Sequence, residues 1–391
     1  MKCIIYGLSL FNRQIECYLK ENIDIIGYSD SFSELDYFDG KKFYKPNELA
    51  NLDFDIIIIV IKAFGDCVDV EENLINLGIE SKKIIPLYKF MKNISIIKQN
   101  ENLIDLSFDK ELNLEGMIFG ISYGEYGINP KYLKHKFYNF CRSSQDLYYT
   151  LLQLKYIKQK YKHKIDKLKY IVLDMYNYTY FNFDTSLSKV GLNFIYDNGL
   201  YEFTHNLNKN KNYSKKHIEK IKKKLEDDEI LLLNTIIRSE HIIRGNNGYY
   251  LNPETNNIII GEEDINIFHG INPNECSDFE KKLHISTEKE NIKIIEEIIN
   301  EILDINSEIK IYLILIPKYK VKEDRRKSIE FMWKNRFYNI LEKLKLKYKF
   351  EILDFKDCEK ISNVREYYLD LEHLNYNGAI EFTKLLSYKI E

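Results

Sequence analysis

Residues 56–61 form an unbroken run of β-branched side chains, Ile-Ile-Ile-Ile-Val-Ile. Such residues favour β-strands, because their branched side chains fit a pleated surface. A strand without polar positions must be buried on both faces, as in a parallel sheet with helices on either side. The run is far shorter than the roughly 20 residues of a membrane-spanning helix. The sequence therefore predicts a covered parallel sheet, which places the chain in the α/β class.

Strand and helix patterns alternate around this run through residues 1–90. Short apolar strands are separated by stretches with helical periodicity. The predicted strands are 2–6, 24–28, 55–61 and 83–86, and the predicted helices are 11–21 and 71–77. This β-α-β alternation predicts a small Rossmann-like domain.

The turn after the first predicted strand has part of a dinucleotide-binding motif. The three glycine positions of that motif are occupied by Gly7, Ser9 and Asn12. Asp30 ends the second strand, where an acidic side chain can bind a ribose hydroxyl. Two interpretations stay open: a nucleotide site built from Gly7, Ser9 and Asp30, or a structural turn followed by a solvated aspartate. The segment resembles the small N-terminal domains of sugar-modifying enzymes such as the bacillosamine N-acetyltransferases, which implies contact with a nucleotide-linked sugar.

The rest of the chain is predicted to form a second, larger domain. Residues 91–115 are polar and lack a regular apolar pattern, which is typical of a linker. Residues 116–391 return to strand and helix patterns and are predicted to fold as one α/β domain. Within this domain, residues from about 231 to 286 read as loops and short strands and are predicted to be an insertion.

A serine ends the first strand pattern of this second domain. The pattern runs from Glu115 to Ser122, with Gly120 and Gly124 on either side of the serine. A side chain at the carboxyl end of a strand in an α/β sheet lies in the ligand crevice. The two glycines let the backbone turn sharply and let a substrate approach closely. Ser122 is therefore a candidate nucleophile.

A carboxylate and an imidazole occur together near the C-terminus. Asp370 precedes His373 by three residues, a spacing that puts both on one side of a helix or turn. The carboxylate can then accept from one imidazole nitrogen and orient the other as a base. A closing helix is predicted at about residues 379–388. With Ser122, these residues predict a Ser-His-Asp arrangement for nucleophilic catalysis.

The combination of Gly-x-Ser at 120–122 and Asp-x-x-His at 370–373 resembles the SGNH (GDSL-type) hydrolase superfamily, over roughly residues 116–391. It is most similar to the branch found with bacterial surface polysaccharides, which includes the D-alanyl transfer proteins and alginate acetyltransferase-like proteins. The resemblance implies a three-layer α/β/α domain. It also implies that Ser122 is the nucleophile, His373 the base and Asp370 its orienter.

The resemblance further implies an oxyanion hole built from two more sequence blocks. The second block falls near Ser143 and Ser144, where the family has glycine. The third block falls near Asn177, which matches the family's asparagine, although the glycine before it is absent. These residues are the predicted donors to an oxyanion, together with the backbone amide of Ser122 or its neighbour.

A basic segment follows the predicted strand 309–316. It begins at Lys318 and continues to Arg325 and Arg326. By the same rule for strand ends, this segment is predicted to be a loop above the crevice, where it could bind a phosphate or carboxylate. A solvated basic loop without a ligand is the other interpretation.

Composition narrows the possible partners and the compartment. The 391 residues include 57 Lys and Arg and 60 Asp and Glu, so the net charge of −3 argues against a nucleic-acid partner. The six cysteines are scattered without a CxxC motif, which predicts reduced thiols and no metal site. The N-terminal segment lacks the cleavage site of an export signal, and no transmembrane segment is predicted. The sequence therefore predicts a cytoplasmic protein and leaves its oligomeric state open.

The function predicted from these features is serine-dependent acyl transfer or ester hydrolysis on a carbohydrate or glycolipid, in bacterial surface glycan or glycoconjugate biosynthesis. The sequence indicates no particular cofactor, and a nucleotide-linked sugar and an acyl-CoA are the candidate substrates. Water or a sugar hydroxyl can resolve the same acyl-enzyme, so transferase and esterase stay unresolved. Two alternatives remain: a non-catalytic glycan or nucleotide-sugar binding module, and a nucleotide-dependent sugar-modifying transferase that uses Gly7 and Asp30.

Overall fold

The structure is a computed structural model of the 391-residue chain. Its description covers residues 1–8, 22–33, 35–61, 64–86, 114–197, 204–213, 258–261 and 282–390, with the single residues Leu19, Glu219, Tyr249 and Ile265. The predicted helix 11–21 apart from Leu19, almost all of the predicted linker and most of the predicted insertion lie outside the described residues.

The chain divides into two compact units. One unit comprises Met1–Asn102 and Ser186–Ile243, and the other comprises Leu103–Thr185 and Arg244–Glu391. The sequence placed residues 186–243 in the second domain, whereas this division groups them with the first unit.

The first unit contains a six-stranded sheet in the order β3-β4-β2-β1-β5-β6. The strands are Lys2–Tyr6 (β1), Asp24–Ser29 (β2), Tyr37–Phe38 (β3), Lys41–Tyr44 (β4), Ile56–Ile59 (β5) and Ile84–Pro86 (β6). All neighbours are parallel except β3 and β4. The helix Phe64–Asn76 (α1) connects β5 to β6, and the helix Gly191–Asp197 lies in the second segment of this unit.

The isoleucine run is buried, as its composition predicts. All four residues of β5 are buried, and the strand pairs with β1 on one side and β6 on the other. The hairpin of β3 and β4 was not predicted. Its two-residue loop, Asp39 and Gly40, has positive φ angles of 48° and 72°. Asp-Gly is a sequence signal for such tight hairpins, so this element could have been found from the sequence.

The second unit contains a five-stranded sheet in the order β11-β10-β9-β7-β8. The strands are Gly116–Phe119 (β7), Phe137–Asn139 (β8), Tyr170–Asp174 (β9), Lys310–Leu315 (β10) and Glu351–Asp354 (β11). All neighbouring strands are parallel. Their carboxyl ends therefore lie along one edge of the sheet, which is the edge where α/β proteins bind ligands.

Helices follow the strands of this second sheet. They are Ser122–Gly127 (α2), Leu147–Tyr161 (α3), Ile285–Ile305 (α5), Lys320–Lys345 (α6), Glu359–Ser362 (α7) and Tyr376–Ser387 (α8). The label α4 belongs to the helix Gly191–Asp197 of the first unit. Capping fixes where two of them begin. The Asp146 side chain accepts from the amide of Tyr149 at the start of α3, and the Asn375 side chain accepts from Gly378 at the start of α8. Across the described part of the chain, no helix has the length and apolar character needed to cross a membrane.

Both faces of the second sheet are covered by helices. Met117 and Phe119 of β7 belong to a buried apolar cluster that includes residues of α3, α5 and α6. Ile118, between them, belongs to a second cluster that includes residues of α2 and α8. This alternation follows from the two-residue period of a strand. The α/β class predicted from the sequence is confirmed.

Candidate active site

Three side chains predicted from the sequence meet at the carboxyl edge of the second sheet. Ser122 is the first residue of α2, just after β7, and Asp370 and His373 lie in the loop before α8. Nε2 of His373 is 2.8 Å from Oγ of Ser122. Nδ1 of His373 is 2.9 Å from Oδ2 and 3.1 Å from Oδ1 of Asp370. The structure thus joins hydroxyl, imidazole and carboxylate in one hydrogen-bonded row, across 251 residues of sequence.

Asp370 is held in place by the backbone of its own turn. Its Oδ1 accepts hydrogen bonds from the amides of Glu372 and His373, each at 2.7 Å. Burial by itself would raise the pKa of Asp370, but the charge of protonated His373 and hydrogen bonds from its ring and from both amides lower the pKa below its usual value. The carboxylate is therefore ionised at neutral pH, the state needed to orient the imidazole and to stabilise an imidazolium.

Two glycines allow α2, the helix that begins at Ser122, to lie against the end of β9. Gly120 has a φ of 142°, a conformation that side chains disfavour, and a Cβ there would be 2.6 Å from Cβ of Asp174. A Cβ on Gly124 would be 2.5 Å from Sγ of Cys141. The close approach that these glycines permit places Ser122 at the sheet edge.

Asp174, at the end of β9, connects that strand to α2. Its Oδ2 accepts from the amide of Gly124 at 2.7 Å, and its Oδ1 accepts from the amide of Tyr176 at 2.9 Å. Burial raises the pKa of Asp174 to about 7, against the opposing effects of backbone hydrogen bonds and of the Lys318 charge. Asp174 was not among the predicted site residues, although it directly follows the apolar run 170–173, which is typical of a buried strand.

The predicted oxyanion residues Ser143 and Ser144 differ in their contacts. The amide and the hydroxyl of Ser143 both donate to Oε2 of Glu125, at 2.5 and 2.6 Å, so the Ser143 amide already has an acceptor within the protein. Ser144 has a φ of 66°, a left-handed conformation that glycine adopts more readily than other residues. Among the described residues, the Ser144 amide donates to no protein acceptor. Ser144 is therefore the better candidate of the two as an oxyanion donor.

Asn177 is buried just beyond β9 and is fixed through its carbonyl oxygen. Oδ1 accepts from the amide of Tyr178 at 2.7 Å and from Nζ of Lys356 at 3.0 Å. Its side-chain donor is therefore Nδ2. The neighbouring Tyr176 stacks on Tyr123, with ring centroids 5.2 Å apart, so Asn177 follows a residue that contacts α2.

Lys318 lies among aromatic rings in the short loop between β10 and α6, and the predicted basic loop is wrong only from Lys320 onward. Only 1% of the Lys318 side chain is exposed, and its Nζ lies 4.6 Å from the ring centroid of Tyr123 and 5.1 Å from that of Tyr176. The segment with Arg325 and Arg326 belongs to the 26-residue helix α6 and not to a loop. Residues 320–328 are mostly charged, so no apolar period marked the start of this helix in the sequence. A role for Lys318 toward substrate stays a prediction.

The predicted nucleotide site lies in the first unit, far along the chain from these residues. Gly7 has a φ of 104°, consistent with a tight turn after β1. Both carboxylate oxygens of Asp30 accept backbone amides of the chain itself, Oδ2 from Leu8 at 3.1 Å and Oδ1 from Phe32 at 2.9 Å. These contacts give Asp30 a structural role in the turn, while Ser9 lies outside the described residues.

Among known proteins, a family model matches only the N-terminal part of the chain, and a solved structure is distantly similar. A family model described as C2185-like, N-terminal, matches residues 1–85. No curated protein matches the chain. Among solved structures, one described as "a putative platelet activating factor from Streptococcus pneumonia" is similar at 12% sequence identity, covering 75% of this chain and 91% of that one, with a TM-score of 0.36.

Proposed function

We propose that this chain catalyses serine-dependent acyl transfer or ester hydrolysis, with Ser122 as nucleophile, His373 as base and Asp370 as orienter. The observation that carries the proposal is the unbroken hydrogen-bonded row from Ser122 Oγ through the imidazole to the Asp370 carboxylate. These are the roles that such a row performs in serine hydrolases on unrelated folds.

The chemistry follows from the positions of the three groups. Oγ of Ser122 attacks the acyl carbonyl while Nε2 of His373 takes its proton, and the carboxylate of Asp370 stabilises the resulting imidazolium. The imidazolium then donates that proton to the leaving alcohol. In the second step the imidazole takes a proton from water or from an acceptor hydroxyl, whose oxygen attacks the acyl carbon. The imidazolium returns that proton to Oγ of Ser122 as the bond between Oγ and the acyl carbon breaks.

The negative charge that develops on the carbonyl oxygen needs donors close to Ser122. The amide of Ser122 has no acceptor within α2, because it is the first residue of that helix. The Ser144 amide and Nδ2 of Asn177 are the other proposed donors. Loss of one such donor lowers kcat by about 10²–10³-fold in serine hydrolases.

The proposal extends to the substrate class and to the compartment. We propose a carbohydrate or glycolipid ester as substrate, in glycan or glycoconjugate biosynthesis, and a cytoplasmic location. Tyrosine rings support the substrate class, since the partly exposed Tyr126 lies beside His373 and the partly exposed Tyr176 stacks on Tyr123, and aromatic rings commonly pack on sugars. The acyl donor and the acceptor are not specified by these contacts.

Labelling with a fluorophosphonate probe tests the proposal directly. We expect covalent labelling of Ser122 in the wild-type protein, together with hydrolysis of p-nitrophenyl acetate, and loss of both in Ser122→Ala. The control is Ser362→Ala, which removes a buried serine whose hydroxyl donates to Cys358 O outside the site and should leave labelling unchanged. A folded wild-type protein that neither reacts with the probe nor hydrolyses the ester would contradict the proposal.

A further inference from the structure

The residue after the nucleophile contacts the residue before the base. Tyr123 follows Ser122, and Glu372 precedes His373. The Tyr123 hydroxyl donates a hydrogen bond to Oε2 of Glu372. This bond lies beside the 2.8 Å contact between Ser122 and His373. Two adjacent hydrogen bonds therefore join α2 to the loop before α8. One is between the groups proposed to react, and the other is between groups that the reaction does not change.

The ring of Tyr123 also contacts the imidazole. Its centroid lies 5.0 Å from that of His373, with 25° between the ring planes. Tyr176 stacks on Tyr123 at 5.2 Å and 14°, so three rings form a column that ends at the base. A second tyrosine of α2, Tyr126, lies 5.1 Å from the imidazole with a tilt of 49°. The imidazole plane is therefore constrained by the helix that carries the nucleophile.

The acceptor of the Tyr123 hydroxyl is itself fixed. Oε1 of Glu372 pairs with Nζ of Lys322 at 2.7 Å, and Oε2 lies 3.8 Å from Nζ of Lys318. The backbone amide of Glu372 donates to Asp370, the orienter of the base. A displacement of Glu372 would consequently be transmitted to the whole turn that holds His373.

We infer that Tyr123 is a positioning residue for the base: its hydroxyl on Glu372 and its ring on His373 together set the distance and angle at which the imidazole meets Ser122. The inference rests on the proposed function, because this geometry matters only if His373 takes the Ser122 proton. A misplacement of about 1 Å at a reacting centre can lower the rate about 10²-fold.

The ring has an electrostatic effect as well as a steric one. An imidazolium that faces an aromatic ring is stabilised by the negative charge on the ring face. Asp370 and Glu372 also favour the protonated ring of His373, whereas Lys318 and Lys322 oppose it. Both Tyr123→Phe and Tyr123→Leu lack the hydroxyl and keep these four charged groups, so a difference between the pH profiles of the two variants would report the loss of the ring.

Two substitutions separate the hydroxyl from the ring. Tyr123→Phe keeps the ring and should lower the rate of fluorophosphonate labelling about 10-fold, with KM for p-nitrophenyl acetate changed less than about twofold. Tyr123→Leu removes the ring too and should lower the pH of half-maximal labelling by about half a unit, whereas Tyr123→Phe should keep the wild-type midpoint. A merely structural role would not move that midpoint.

The matched control is Tyr338→Phe. It removes a tyrosine hydrogen bond to another carboxylate, Oδ2 of Asp354 at 2.7 Å, outside the reactive row. Its labelling rate should equal that of the wild type. Thermal unfolding of each variant, followed by circular dichroism, shows that the comparison is made between folded proteins.

The outcomes distinguish this inference from the proposed function. Absence of Ser122 labelling in the wild type overturns the proposed function. Normal labelling of the wild type together with wild-type rates and pH midpoints in both Tyr123 variants overturns the inference alone. Glu372→Gln keeps an acceptor for the hydroxyl, so its rate should exceed that of Glu372→Ala. Equal labelling rates for these two variants would also contradict the inference about Tyr123.

Discussion

At the scale of single residues, two carboxylates near the candidate nucleophile have opposite electrostatic surroundings. Asp370 faces an imidazole that can carry positive charge, and its pKa is lowered. Asp174 is fully buried and meets backbone amides, and burial raises its pKa to about 7. The difference arises because a nearby cation favours the ionised form, whereas desolvation disfavours it. The first carboxylate is suited to catalysis and the second to holding the nucleophile helix.

The raised pKa of Asp174 predicts how stability changes with pH. The folded state binds this proton more tightly than the unfolded chain, so the contribution of Asp174 to stability is lost as pH rises from about 4 to 7. Asp174→Asn cannot ionise. The free energy of unfolding of the wild type relative to Asp174→Asn should therefore fall by on the order of 2 kcal/mol between pH 5 and pH 8. Urea denaturation of both proteins at the two pH values measures this change. A wild type that becomes more stable relative to Asp174→Asn as the pH rises would contradict the prediction.

At the scale of elements, the position of helix α2 depends on close backbone approach. Ser122 reaches the imidazole because Gly120 and Gly124 let the helix lie against Asp174 and Cys141. Asp174 then bonds the helix through the Gly124 amide. The position of the Ser122 hydroxyl therefore depends on β9, on the turn at Gly120 and on α2 together.

Gly124→Ala tests this arrangement. The new Cβ would lie 2.5 Å from Sγ of Cys141 and 3.1 Å from Oδ2 of Asp174, so α2 or its neighbours must shift. We expect a loss of about 1–3 kcal/mol in the free energy of unfolding and a fall in the labelling rate of Ser122 of about 10-fold or more. The measurements are urea denaturation and fluorophosphonate kinetics.

Gly78→Ala is the control for this substitution. Gly78 has a positive φ of 93°, but a Cβ there would meet no atom within 4 Å. It should therefore cost stability through backbone strain alone and leave the labelling rate unchanged. Equal labelling rates in Gly124→Ala and the wild type would refute the close-approach argument.

At the scale of the molecule, each of the two units contains its own predominantly parallel sheet, and in the second unit both faces of the sheet are covered. The chain's single tryptophan, Trp333, belongs to the buried cluster on the face that α3, α5 and α6 cover. Its fluorescence should therefore report the packing of that layer. The layer can be perturbed without touching any residue of the candidate site.

Helix α5 supplies a matched pair of substitutions for this layer. Ile299 is fully buried, and Ile299→Ala should lower the free energy of unfolding by about 2–5 kcal/mol. Ile285 on the same helix is 55% exposed, and Ile285→Ala should change the free energy of unfolding by less than about 0.5 kcal/mol. Urea denaturation followed by Trp333 fluorescence measures both, and similar losses would contradict the assignment of Ile299 to the core.

The sequence predicted the features that depend on local pattern. The isoleucine run indicated a covered parallel sheet, and the strands around it fall where the periodicity placed them. Ser122, Asp370 and His373 could be identified because each stands at a recognisable strand end or short spacing. The resemblance to the SGNH superfamily connected them, and it stays a prediction like the activity that it implies.

Only the tertiary structure decided which distant residues meet. The hydrogen bond of Tyr123 to Glu372 spans 249 residues, and that of Gly124 to Asp174 spans 50. The acceptor of the Ser143 amide, Glu125, was likewise not indicated by any local pattern. The physical reason is that periodicity and turn chemistry act over a few residues, whereas these contacts depend on how parallel strands bring their carboxyl ends to one edge. The sequence by itself therefore determined the fold class and the three candidate side chains, and the packing of α2 against β9 and the loop before α8 determined their geometry.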